Sequence, residues 1–305
     1  MRSGRTGCLA LALLLLPSSE LLAQELEPRR WTHLPVGANF GAVGYANTDG
    51  NIFLDPSLLI EGAQAKLHSA GLSYIRAVNV LGRTGRVELL APYSSGRWEG
   101  FLDGEFASVR RTGLGDPRAR FAVNLIGPPA QRISEFSPSP GSTIVGAALD
   151  VTAPWGEYRS DRLVNLGSNR WVLRPQIGAV HNYGKWTFEV TASAWIFGEN
   201  KNYFGNVLRK QEPLYGLQTH VIYTFRPGLW ASLSVGYGEG ATSTIDGVDR
   251  DDHQSNLLWA ASFGFPLDRR HGFKVAFMRG STNQNIGVDY DRVIFAYSYM
   301  WGDGL

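Results

Sequence analysis

The 305-residue sequence has one cysteine, Cys8, three methionines, and charged residues at only 18% of its positions. A single cysteine excludes an internal disulfide and leaves no cysteine cluster to hold a metal. A formal net charge of +2 supplies no basic field, and no basic stripe with interleaved aromatics occurs, so no nucleic-acid partner is expected. Long apolar runs are missing too. The longest, Cys8–Leu16, has nine residues, and nothing later approaches the roughly 18 that a transmembrane helix needs. HExxH, CxxC and GxSxG are absent, which removes the common zinc and nucleophile-elbow signatures. No enzyme activity, metal or cofactor is expected.

What is present begins with "MRSGRTGCLALALLLLPSSELLAQ". Arg2 and Arg5 precede the short apolar run, and Pro17 and small polar residues follow it, with a cleavage point after Ala23. That order predicts a secretory signal peptide over 1–23. Cys8 lies at the head of the apolar run, the wrong place for a lipoprotein cysteine. Export leaves two classes, a soluble periplasmic β protein or an outer-membrane barrel.

With 36 glycines and 12% aromatics, the mature chain has the composition of a β protein. Period-two alternation predicts strands near 36–46, 67–80, 84–93, 117–127, 142–153, 170–181, 185–197, 213–225, 229–238, 256–267, 272–280 and 289–301. Each is close to the roughly 9–11 residues that cross a bilayer at a tilt. Short connections at 82–83, 182–184, 226–228 and 268–271 alternate with long ones at 47–66, 94–116, 154–169, 198–212, 239–255 and 281–288. Outer-membrane barrels have this rhythm, short turns on the periplasmic side and long loops outside, and a Greek-key sandwich has no reason to keep it. The weakly alternating "RWEGFLDGEFASVRR" (97–111) is assigned to a loop for its acids and glycines, and the proline-rich 128–141 interrupts the rhythm.

The faces point the same way. Trp186, Phe188, Val190, Ala192, Ala194 and Ile196 share one side of their strand, opposite Thr187, Glu189, Thr191 and Ser193. A soluble barrel would turn the bulky set inward to fill its core. Here the other set mixes glycine, serine and charges of both signs, as a wet lumen does. The expected fold is all-β: a transmembrane antiparallel barrel of about 12 strands over 36–301, of bacterial outer-membrane type, with a periplasmic N-terminal segment 24–35 and a tail 302–305. The last strand puts Val293, Phe295, Tyr297, Tyr299 and Trp301 on one face, the kind of aromatic strand that the barrel-assembly machinery recognises, though four residues follow Trp301.

Three stretches, "LPVGANFGAVGY" (34–45), "TGLGDPRARFAVNLIG" (112–127) and the aromatic last strand, resemble the outer-membrane barrel family labelled "putative meta-pathway of phenol degradation". The resemblance implies transport of hydrophobic or aromatic compounds and carries over no functional residues.

Candidate site residues come from the inward faces. The expected lumen charges are Arg86, Glu88, Arg118, Arg120, Asp150, Arg174, Glu189 and Lys274. They form a structural network, a constriction that orients a polar end of a substrate, or both, since an isolated charge inside a narrow barrel is costly. If Phe225 pairs with Leu229 across Arg226–Gly228, His220 lies opposite Ser234. A base beside a serine is the first requirement of a nucleophilic hydrolase. Facing the lumen, where no acyl chain arrives, this pair reads better as a polar wall contact. "GLGD" (113–116) runs into a strand through Pro117 and reads as a turn, not a phosphate loop. Asp246, Asp249, Asp251 and Asp252 lie in an outer loop without EF-hand spacing. The segment 24–35 is too short for a plug domain, yet it can enter the lumen as a partial stopper, with Trp31 the residue to bury. The expected function is passive transport of a small aromatic or hydrophobic molecule. A hydrolase using His220 and Ser234, or a structural or surface-recognition barrel acting through its outer loops, are the alternatives. The expected partners are outer-membrane lipid, lipopolysaccharide, the assembly machinery and the transported molecule.

Overall fold

The computed structural model describes residues 26–53, 60–136 and 141–302. The expected signal peptide 1–23 and residues 303–305 of the tail lie outside them.

The chain forms β1 (Asn39–Phe53), β2 (Ile60–Val80), β3 (Arg83–Leu102), β4 (Glu105–Leu114), β5 (Arg118–Ile126), β6 (Thr143–Thr152), β7 (Val172–Tyr183), β8 (Trp186–Phe197), β9 (Asn200–Tyr203) and β10 (Val207–Gln211). It continues through β11 (Leu214–Arg226), β12 (Leu229–Gly240), β13 (Ser243–Ile245), β14 (Val248–Asp249), β15 (Gln254–Pro266), β16 (His271–Thr282) and β17 (Gly287–Trp301). Twelve of these, β1, β2, β3, β5, β6, β7, β8, β11, β12, β15, β16 and β17, close into one antiparallel barrel, sealed where Asn39 pairs with Trp301 and Phe53 with Gly287. Among the described residues no helix is long and apolar enough to cross a membrane. Strands do the crossing.

Every predicted strand is present, but the loop assignment of 97–111 is wrong. β3 runs on to Leu102 and β4 returns from Glu105, so that Tyr93–Leu102 pairs with β4 while Gly85–Leu90 pairs with β5. β4 therefore stands above β5 in the same lane of the wall. Most side chains on β4 are exposed, and without a buried face the apolar contrast that marks a strand is missing. The loops at 47–66 and 94–116 are likewise shorter than expected, because β1, β2 and β3 extend beyond the apolar band. Parts of 198–212 and 239–255 form a second, four-stranded sheet of β9, β10, β13 and β14.

The outside of the barrel is greasy. Leu72 and Leu233, each 66% exposed, and Phe121, Phe188, Val235 and Phe295 all face outward. Toward the short-turn end these side chains become a girdle of rings, with Trp186–Tyr223 at 4.8 Å, Tyr223–Phe225 at 4.9 Å, Phe265–Phe273 at 5.7 Å and Tyr299–Trp301 at 5.7 Å. Only hydrocarbon covers such a surface without cost, and aromatic girdles mark the edges of the hydrocarbon. The inward face is polar, and the short-turn end is the periplasmic one.

Candidate functional site

The interior is not an open pore. Of the segment 24–35, residues 26–35 lie within the barrel rather than below it. The reason is chemical: Leu26, Glu27, Arg29 and Trp31 each have a matching place on the wall. Leu26 packs with Leu258, Ala260, Met278 and Tyr290. Glu27 takes two hydrogen bonds from Lys274 Nζ, both 2.7 Å. The Arg29 amide donates to Glu189 Oε2 at 2.7 Å, and its guanidinium donates to Thr224 Oγ1 at 2.9 Å while lying over Trp230. Arg86 donates in turn to the carbonyls of Arg29 and Arg30, each at 3.3 Å.

Trp31 is the anchor, 1% exposed. Its ring packs with Ala122, Ile144 and Val180, and its Nε1 donates to Thr191 Oγ1 at 2.8 Å. Two wall glycines make room for it. A Cβ at Gly146 would come within 2.6 Å of the indole, and one at Gly178 within 2.2 Å. Any other residue at either position would displace the ring. Lower down, His33 stacks on Phe136 at 5.2 Å, and the Val36 amide donates to the Gln131 carbonyl at 2.8 Å, strapping the segment to the long periplasmic connection. Burial beside Phe136 lowers the His33 pKa, an effect a hydrogen bond with Gln131 partly opposes.

The predicted wall residues fall into two rows. Arg120, Asp150 and Arg174 stand in register across β5, β6 and β7, with Arg118 half-buried one inward position above Arg120. Arg120 donates to Glu88 Oε1 at 2.5 Å and to Gln176 Oε1 at 2.9 Å, and its guanidinium lies 4.8 Å over Trp31. Arg86 pairs with the same Glu88 oxygen at 2.8 Å. Arg174 lies 3.9 Å over Trp195. The second row is Glu189, His220 and Ser234, in register across β8, β11 and β12. His220 Nδ1 and Ser234 Oγ are 2.7 Å apart, with both residues buried. Arg226, not Phe225, pairs with Leu229, and a bulge at Phe225 restores the register that sets His220 against Ser234. Across from the first row, and next to the second, β15, β16 and β17 present Leu258, Ala260, Met278, Tyr290 and Ile294. The lumen thus has one charged wall and one more apolar wall, whose charged members are Lys274 and Arg292.

Three features were missed from the sequence. Arg292 faces the lumen, donates to Thr48 Oγ1 at 2.9 Å and lies over Tyr290; its alternation with outward Val293 marks it as inward. The glycine cradle for Trp31 carried no local signal. Asp116, the last residue of "GLGD", accepts from the Gly156 amide at 2.8 Å, the Ser168 amide at 2.7 Å and Ser168 Oγ at 2.6 Å. It thereby clamps the loop 154–169, which sends Val164 and Leu166 into the outer mouth against Trp98, Ala65 and Leu67. Of the outer-loop aspartates, Asp252 accepts from the Ser243 amide and hydroxyl, and Asp249 from Thr244. Among the described residues no group of three His, Cys, Asp or Glu is placed to hold a metal ion.

Solved structures share this architecture. An outer membrane channel from Pseudomonas putida F1 is 22% identical, with a TM-score of 0.77 over 91% of this chain and all of that one. A monoaromatic hydrocarbon channel, the TodX deltaS2 mutant, is 8% identical, with a TM-score of 0.51 over 90% of this chain and 93% of that one. The β domain of the Bordetella autotransporter BrkA is 10% identical, with a TM-score of 0.50 over 87% of this chain. These likenesses concern the fold. No curated protein matches the sequence. The sequence profile of one family matches residues 36–290, most of the chain, and with the closed barrel it puts the protein in the bacterial outer membrane: the chain belongs to the family described as "Putative MetA-pathway of phenol degradation".

Proposed function

We propose that the protein is a passive outer-membrane channel for small aromatic or hydrophobic molecules that carry a polar end. The observation that carries this reading is the two-sided lumen, filled by the docked segment 26–35. The apolar wall of β15–β17 suits the body of such a molecule, and the row Arg120, Asp150, Arg174 with Arg118 suits its polar end. In the closed state Leu26 and Trp31 occupy that space as a substrate would. Their release opens a route from the outer mouth to the periplasm without covalent chemistry. The monoaromatic hydrocarbon channel among the structural neighbours supports the substrate class by fold analogy alone. Lipid and lipopolysaccharide around the wall, and the assembly machinery at the aromatic last strand, are the partners this reading implies.

Liposome swelling and single-channel recording on the full mature chain test it. Uptake of a small aromatic solute that rises when residues 26–35 are deleted is the expected result. A barrel that neither conducts nor binds a hydrophobic ligand, with or without the segment, refutes it. A second reading, ester hydrolysis, rests on the 2.7 Å contact between His220 and Ser234. It requires that Ser234→Ala abolish hydrolysis. A wall-contact role requires instead that wild type and variant be equally inactive on esters.

A further inference from the structure

The lipid-facing wall is not uniformly filled. On one row Ala231 lies in register between Tyr223 and Phe263; on the next, farther from the short turns, Ala261 lies between Leu233 and Phe277. Two methyl groups among large neighbours leave a diagonal trough, closed at one side by Trp186, with a volume of about 510 Å³ and an almost wholly apolar lining.

Directly beyond its lower end lie exposed cations. Lys185 is in the β7–β8 turn, Arg226 at the β11–β12 turn, and Arg269 and Arg270 in the β15–β16 turn, with Asp268 the one acid among these turn residues. The turns stand shoulder to shoulder. The Thr224 amide donates to the Lys185 carbonyl at 2.8 Å, and a Cβ at Gly228 would come within 2.8 Å of Pro266. Arg226 is three residues below Tyr223, about 10 Å at roughly 3.3 Å per residue. That step leads out of the hydrocarbon into the headgroup layer.

We propose that this trough and the four cations form a binding site for one anionic phospholipid of the periplasmic leaflet. An acyl chain fills the recess over Ala231 and Ala261, and the headgroup phosphate lies among Lys185, Arg226, Arg269 and Arg270. Lipopolysaccharide belongs to the opposite leaflet and does not reach this end. Charge complementarity selects an anionic lipid over a zwitterionic one, while the trough fixes where it sits.

Native mass spectrometry of the full mature chain, with phosphatidylglycerol or phosphatidylcholine added to the micelles, tests the site. Wild type is expected to retain one phosphatidylglycerol in preference to phosphatidylcholine. The triple variant Lys185→Gln, Arg226→Gln, Arg269→Gln is expected to lose the preference, by about fivefold per charge removed. Ala231→Trp fills the trough from outside and is expected to expel both lipids, while an unboiled gel still reports a folded barrel. Equal retention of the two lipids by wild type overturns the proposal. So does a preference that survives the triple variant, or retention that survives Ala231→Trp. A lipid-free dimer that Ala231→Trp dissociates would also overturn it, by assigning the trough to a second copy of the chain.

Discussion

Trp31→Ala removes the anchor of the internal segment, and its cost can be worked from the contacts. Holding residues 26–35 in one conformation costs about 1–2 kcal/mol per residue, so the segment stays in place only through strong local contacts. A buried tryptophan hides about 200 Å², worth about 5 kcal/mol at ~25 cal/mol per Å². Its bond to Thr191 and its contact with the Arg120 guanidinium add about 1 kcal/mol each. Losing about 5–7 kcal/mol shifts the docked-to-released ratio by on the order of 10⁴–10⁵. The assay is single-channel conductance, paired with protease cleavage of the segment. Trp31→Ala should raise the open fraction strongly and expose the segment. Trp31→Phe, which keeps most of the apolar area, should do so far less. Gly178→Leu leaves the segment unaltered but drives a side chain into the indole, 2.2 Å from its Cβ position, and should mimic Trp31→Ala. If all three variants conduct and resist protease as wild type does, the segment is not held by this cradle.

Other outcomes follow from the same contacts. Lys274→Met breaks the pair with Glu27, whose side chains are 20% and 41% exposed; solvent screening limits the effect to about 1 kcal/mol, and added salt should shrink the conductance difference from wild type. Burial lowers the His33 pKa when the segment is docked, so the released state takes up protons first as pH falls through the ordinary histidine value near 6.5. Docking should therefore weaken on acidification, opening should increase, and His33→Gln should flatten that pH dependence. Asp116→Ala removes the acceptor of three hydrogen bonds and should cost the outer loop about 2–4 kcal/mol, read as faster hydrogen exchange at the Gly156 and Ser168 amides.

The wall was legible because each crossing repeats one physical contrast. Residues such as Phe188 and Glu189 face opposite solvents, and a period of two records it. β4 escaped because most of its side chains meet water and its inner face is only partly covered, by Val109 and Arg111 against the outer loop. The lumen charges were legible as the faces opposite the greasy ones, and Trp31 as the large apolar group in an otherwise polar segment. What stayed hidden depends on distant pairs. Gly146 and Gly178 become a cradle only once the segment doubles back inside. Asp116 becomes a clamp only when residues 40 and 52 positions away reach it. Neither has a local pattern.

The seam between β1 and β17 has a kinetic consequence. Asn39 bonds to the carbonyl of Trp301 across a separation of 262 residues, so the cylinder can be completed only after every other hairpin exists. Contacts of such long range are slow to form. Until then the interior carboxylates and guanidiniums face whatever surrounds the half-built sheet, and the segment that carries Leu26 and Trp31 must either wait inside the curl or enter afterwards through the lower mouth. The order of those two events governs whether a newly made molecule starts its life shut or open.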